Sequence, residues 1–146
     1  LQASGEALKQ ALAKKPKIVS IYFKHTAKIL DKRVSSLDDY IKMGKEIIKR
    51  GAENAIIPFH SERLLFTEDK VYCLSPLDFC LTNWLGAGDA YNAAFFDYYY
   101  QYGFEFVEAN RRGAAAALAI AENNSLFLES YENIEKNIER IVVKEL

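Results

Sequence analysis

The chain has 146 residues, enough for one hydrophobic core and too few for a tandem array. Half are apolar and 27% charged, which excludes a disordered or fibrous chain; 19 basic against 20 acidic side chains leave no positive field for a nucleic-acid backbone. No apolar run approaches the ~20 residues that cross a bilayer, so neither nucleic acid nor membrane is expected as a partner.

A cytoplasmic location is expected, and the absent initiator Met suggests a fragment or a processed chain. Cys73 and Cys80 belong to no CxxC or Cys/His cluster. They are expected as reduced, partly buried thiols, and no metal site is expected from the chain's own ligands.

Ser4 followed by Glu6, Ala7, Leu8, Ala11 and Leu12 predicts an N-capped amphipathic helix over about 4–14, ended before Pro16. Ile18 to Tyr22 is a short β-branched run of the kind buried in a parallel sheet. Ser35 and Ser36, with Asp38 and Asp39 three residues on, predict a capped helix carrying Leu37, Tyr40, Ile41, Ile47 and Ile48 and stopped at Gly51. Asn54 to Phe59 is again strand-like. Helix, strand, helix, strand is the pattern of crossovers on a parallel sheet.

Leu64 to Thr67 and Val71 to Ser75 flank the polar turn Glu68-Asp69-Lys70 and predict a hairpin at an antiparallel edge. From Gly88 to Tyr102 the aromatic residues Tyr91, Phe95, Tyr98, Tyr99 and Tyr102 recur at helical spacing, a core stripe ended by Gly103. Phe96 and Tyr100 fall off that stripe, to be buried in layers, to cover surface toward absent chain, or to meet another copy in a homodimer. A second helix over about 105–122 has small residues at Gly113 to Ala117, which permit close packing. A last helix over about 131–140 precedes Ile141-Val142-Val143.

The chemically pointed segment is Asn83-Trp84-Leu85-Gly86-Ala87-Gly88-Asp89-Ala90, a glycine-bearing turn feeding a helix. First-turn amides lack intrahelical partners and lie at the positive end of the macrodipole, so Gly86, Ala87 and Gly88 form a candidate anion hole. Asp89 beside them is placed to accept a proton from an attacking hydroxyl. An aspartate in a helix's first turn also stabilises the helix with no chemistry at all.

The order of these pieces resembles the C-terminal half of the ribokinase-like, phosphofructokinase-B sugar kinases. GAGDA at the head of an aromatic- and alanine-rich helix, followed by another alanine-rich helix, is similar to that family's second signature. Ser4-Gly5-Glu6-Ala7-Leu8 with Lys15-Pro16, Ser35-Ser36-Leu37, Gly51-Ala52-Glu53-Asn54 and the ending Val142-Val143-Lys144-Glu145-Leu146 resemble the branch containing 1-phosphofructokinase and tagatose-6-phosphate kinase. The resemblance implies one α/β domain over 1–146, three layered α/β/α with a mostly parallel sheet. It also implies ATP-dependent phosphoryl transfer to a hydroxyl of a sugar phosphate, with Mg2+ accompanying the ATP. In that reading Asp89 is the general base, Gly86, Ala87 and Gly88 bind the phosphoryl group, and Ser61, Glu62 and Asn83 lie toward the nucleotide.

The departures cluster where the nucleotide belongs. The family's Lys-Pro-Asn-x-x-Glu corresponds to Ser20-Ile21-Tyr22-Phe23-Lys24-His25, and a neutral imidazole at His25 is a poor substitute for oxygen ligands to magnesium. Its glycine-rich turn corresponds to Pro58-Phe59-His60-Ser61-Glu62-Arg63, and Trp84 stands where threonine is common. These losses motivate the alternative, a non-catalytic homologue kept as a binding or assembly module.

Overall fold

The computed structural model describes residues 1–21, 25, 28–29, 32–78, 80, 82, 85–123 and 130–146. They divide into two compact units, Leu1–Cys73 with Lys144–Leu146, and Leu74–Val143.

In the first unit, α1 (Gly5–Leu12) buries Leu8 and Leu12, each worth roughly 1.5–3 kcal/mol of apolar transfer. Ser4 occupies the N-cap position, but its side chain makes no capping hydrogen bond, because Gly5 (φ +57°) turns the chain there. The parallel pair predicted by the sequence is present: β1 (Ile18–Ser20) lies in register with β4 (Asn54–Phe59), Val19 opposite Ala55. Tyr22, read as the end of β1, is outside the described residues. Between them come two short antiparallel strands that the sequence reading did not hold, β2 (Lys28–Ile29) and β3 (Lys32–Arg33), and then α2 (Leu37–Lys49).

Helix α2 starts where its capping residues dictate. Asp39 N–H donates to Ser36 Oγ at 3.2 Å, and Asp39 Oδ2 accepts from the N–H groups of Ser36 and Ser35 at 3.1 and 3.2 Å. Those donors hold the exposed Asp39 carboxyl down at about 2. Gly51 (φ +121°) ends the helix with its N–H donating to Ile48 O at 2.9 Å.

The sheet is mixed rather than mostly parallel. β4 pairs antiparallel with β5 (Glu62–Phe66), Phe59 opposite Glu62, because only His60 and Ser61 separate them and so short a turn can only reverse the chain. β5 leads through the predicted polar turn, where Thr67 N–H donates to Lys70 O at 3.0 Å, into β6 (Val71–Pro76). The core between α1, α2 and these strands contains Val19, Ile47, Ala55, Ile57, Leu64 and Phe66, all fully buried. β6 neighbours β7 (Ile141–Glu145), and both strands have residues in each unit.

The second unit is built on a pair of long helices, α3 (Ala87–Gln101) and α4 (Phe106–Ala121), joined by a turn in which Gly103 and Phe104 both have positive φ. Alanine at 109 and 115 to 117 and glycine at 113 let the two backbones approach, and Tyr91, Phe95 and Tyr99 fill the seam from α3. Asn110 of α4, fully buried, accepts the Tyr91 hydroxyl and donates to Phe106 O at 2.7 Å, so neither polar group is left dry. The aromatic stripe is shorter than the sequence spacing predicts. Tyr98 is half-buried under the Arg112 guanidinium, and Tyr102, at the helix end, is exposed and stacks on Tyr98 at 4.5 Å. Helix α5 (Glu132–Ile138) buries Ile134. Of the two free thiols Cys73 is buried and Cys80 exposed, the latter against expectation because it lies in a connecting segment instead of a strand.

Candidate functional site

Gly86 is the N-cap of α3 and adopts φ +83°, ψ −13°, a left-handed turn that costs glycine nothing. Having no side chain, it caps nothing. The first i to i−4 bond of the helix runs from Ala90 N–H to Gly86 O at 2.9 Å, so the amides of Ala87, Gly88 and Asp89 precede any such bond. They sit at the positive end of a 15-residue helix. A Cβ built on Gly88 would meet nothing within 4 Å among the described residues. Among the described residues nothing fills the space beside Gly88, and Gly86, Ala87 and Gly88 all lie in the turn that leads into the helix.

Asp89 is exposed, and among the described residues its carboxylate takes part in no ion pair or side-chain hydrogen bond. A carboxylate in the first turn of a helix, beside those amides, can receive a proton from a hydroxyl aimed at an anion held on them.

Ser61 and Glu62 belong to the first unit, where Ser61 completes the two-residue turn and Glu62 opens β5 opposite Phe59. His60 in that turn has φ +53°, and its ring stands edge-on to Phe59 at 4.5 Å. Side chains thus occupy the turn where the family carries glycines. Asn83 and Trp84 lie outside the described residues, as do Phe23 and Lys24; His25 is exposed. Among the described residues no group of three or more His, Cys, Asp or Glu converges as a metal set. No helix of the described residues is long and apolar enough to cross a membrane. Of the alternatives left open for Phe96 and Tyr100, burial in layers does not hold: both are exposed, and they stack on each other at 6.1 Å.

One ion pair of the second unit has no signal in the sequence. Arg140, directly before β7, donates to both carboxylate oxygens of Glu122 at 2.6 and 2.7 Å and to the carbonyl of Asp78 at 3.0 Å. Hydrogen bonding from Arg140 holds the Glu122 carboxyl below the ordinary carboxylate range. Eighteen residues separate the two in the chain, and neither helical nor strand periodicity couples positions that far apart.

No family profile matches the chain. It is 31% identical to 1-phosphofructokinase of Bacillus subtilis over 96 residues, 65% of this chain and 32% of that protein. Its structure matches that of a possible 1-phosphofructokinase from Thermotoga maritima with a TM-score of 0.80 at 24% identity, over 90% of this chain and 42% of the other. Phosphofructokinase-2 of Escherichia coli, solved in complex with potassium, matches with a TM-score of 0.80 at 24% identity, over 94% of this chain and 45% of the other. The chain spans about a third of the length of the curated relative and less than half of each of these structures.

Proposed function

We propose that this chain, whose ribokinase-like fold is that of the phosphofructokinase-B carbohydrate kinases, supplies the phosphoryl-gripping part of an ATP-dependent sugar-phosphate kinase of the 1-phosphofructokinase or tagatose-6-phosphate kinase type. The observation that carries this reading is the exposed Asp89 carboxylate beside the uncapped first turn of α3. The terminal phosphoryl group of ATP rests on the amides of the Gly86–Gly88 turn, which hold its charge as transfer proceeds. Asp89 takes the proton of the attacking sugar hydroxyl. Magnesium accompanies the nucleotide's own phosphates and is assigned no ligand here.

A second reading, a binding or assembly module without turnover, is favoured by the β4–β5 turn, where His60 and Ser61 present side chains. Calorimetric titration with ATP and magnesium separates the two. The kinase reading expects binding that Gly88→Ala weakens and Asp89→Asn preserves. In the full-length protein carrying these residues, Asp89→Asn lowers turnover by about 10²–10⁴-fold. Absence of binding at millimolar nucleotide, or normal turnover in Asp89→Asn, overturns it in favour of the module.

A further inference from the structure

We propose that the cavity between the end of α3 and the start of α5 binds a methylated organic ammonium ion, with Asp97 as its counter-charge and the rings of Tyr98, Tyr102 and Tyr131 as its walls. Every residue of this cavity belongs to the second unit, and none takes part in the kinase reading. Its volume is about 380 Å³, over a floor of Ala94 and Ile134, within the ~300–1,000 Å³ of small-molecule sites.

Asp97 carries a charge that its neighbours leave unmatched. Its two oxygens accept from Gln101 Nε2 and from the Tyr131 hydroxyl, both neutral donors, and among the described residues no cationic side chain pairs with it. The bond to Asp97 pushes the Tyr131 hydroxyl above the usual tyrosine range, so it remains a neutral donor. Arg112, the cation of the lining, is already engaged: Nη1 donates to Glu135 Oε1 at 2.6 Å, and Nε stands 3.6 Å from Glu108 Oε1. Asp97 also lies one turn before Gln101, the last residue of α3, toward the negative end of the helix dipole, and the last turn contains no basic residue. A half-buried carboxylate in that place is stabilised by a cation from outside.

The walls suit such a cation. Tyr98 and Tyr102 stack at 4.5 Å with their planes 18° apart, and the Arg112 guanidinium carbon lies 4.6 Å from the centre of the Tyr98 ring, so these rings already hold one cation against a face. Tyr102 and Tyr131 are 59% and 63% exposed, so a ligand can reach them. Both oxygens of Asp97 already accept hydrogen bonds, which favours a methylated ammonium over one with N–H groups, since it draws on charge and ring faces and asks for no further acceptor.

Choline and 3,3-dimethylbutan-1-ol, which has the same shape without the charge, test the site by proton NMR titration of the tyrosine ring signals. The expected result is a saturable shift at Tyr98 and Tyr102 with choline, and an affinity for the alcohol lower by about tenfold or more, because both the ring attraction and the Asp97 attraction are lost. Asp97→Asn and Tyr102→Leu each weaken choline by about tenfold. Equal affinity for the alcohol, no saturable shift of these rings up to about 10 mM choline, or an unaltered choline affinity in both variants overturns the site. The first two of these outcomes are read on the unaltered chain, so they decide the matter even where a variant fails to fold.

Discussion

Gly113 of α4 lies against Tyr91 of α3 so closely that a Cβ on the glycine would come within 2.9 Å of both the Tyr91 carbonyl oxygen and its ring carbon Cδ2. One of these contacts is backbone, which cannot rotate away, so the helices must separate to accept any side chain there. Gly113→Ala is expected to destabilise the second unit by about 1–3 kcal/mol despite the higher helix propensity of alanine. Tyr91 stands two residues after Asp89 on the same helix, so the separation also moves the amide array. A lowered melting midpoint in denaturant together with weakened ATP binding checks both consequences; an unchanged midpoint shows the seam to be softer than its distances.

A different glycine plays the same part in the first unit. A Cβ on Gly44 of α2 would lie 2.1–2.4 Å from three atoms of the fully buried Phe66 ring on β5. The ring belongs to one buried core cluster with Ile47, Leu64 and Ile57, and close-packed interiors resist the displacement of a ring. Gly44→Ala is expected to cost about 1–3 kcal/mol, measured as a shift of the urea midpoint. Adding Phe66→Leu, which vacates the ring edge, should recover part of that loss. No recovery in the double variant would place the clash elsewhere.

The difference between these two glycines and Gly86 marks how far the sequence could be read. Gly86 announces itself, since a glycine just before an apolar helix with Gly88 and Asp89 beside it has a local meaning that needs no tertiary partner. Ser36 with Asp39 is equally local, and α2 begins where they predict. Gly44 sits in mid-helix, where its only meaning is a ring that arrives from another strand. β2 and β3 are two residues each, too short for any periodicity. The antiparallel β4–β5 pair was hidden for another reason: Pro58 to Arg63 aligns with a glycine-rich turn of the family, and that resemblance conceals a two-residue reversal made with side chains in place. Glu122 and Arg140 carry no local signature at all, and they meet only because α4 and the start of β7 are brought together.

Acid should separate two carboxylates that both sit below their ordinary range. Glu122 is lowered from 4.5, first by its hydrogen bond from Arg140, and Asp39 is lowered from 3.8 to about 2 by the Ser36 and Ser35 donors. A group whose folded pKa is depressed contributes stability that is fully present above its unfolded pKa and is lost as pH falls through the folded one. For Glu122 the loss begins below about pH 5, and for Asp39 it is spread between about pH 4 and about pH 2. Glu122→Gln should therefore melt below the unaltered chain near neutral pH, and the gap should narrow as acid protonates the native carboxylate. Asp39→Asn should keep most of its deficit at pH values where that of Glu122→Gln has already shrunk. Melting temperatures of the three proteins across an acid series test this ordering, and a gap for Glu122→Gln that stays constant with pH would show that the carboxylate gains nothing from its charge beside Arg140.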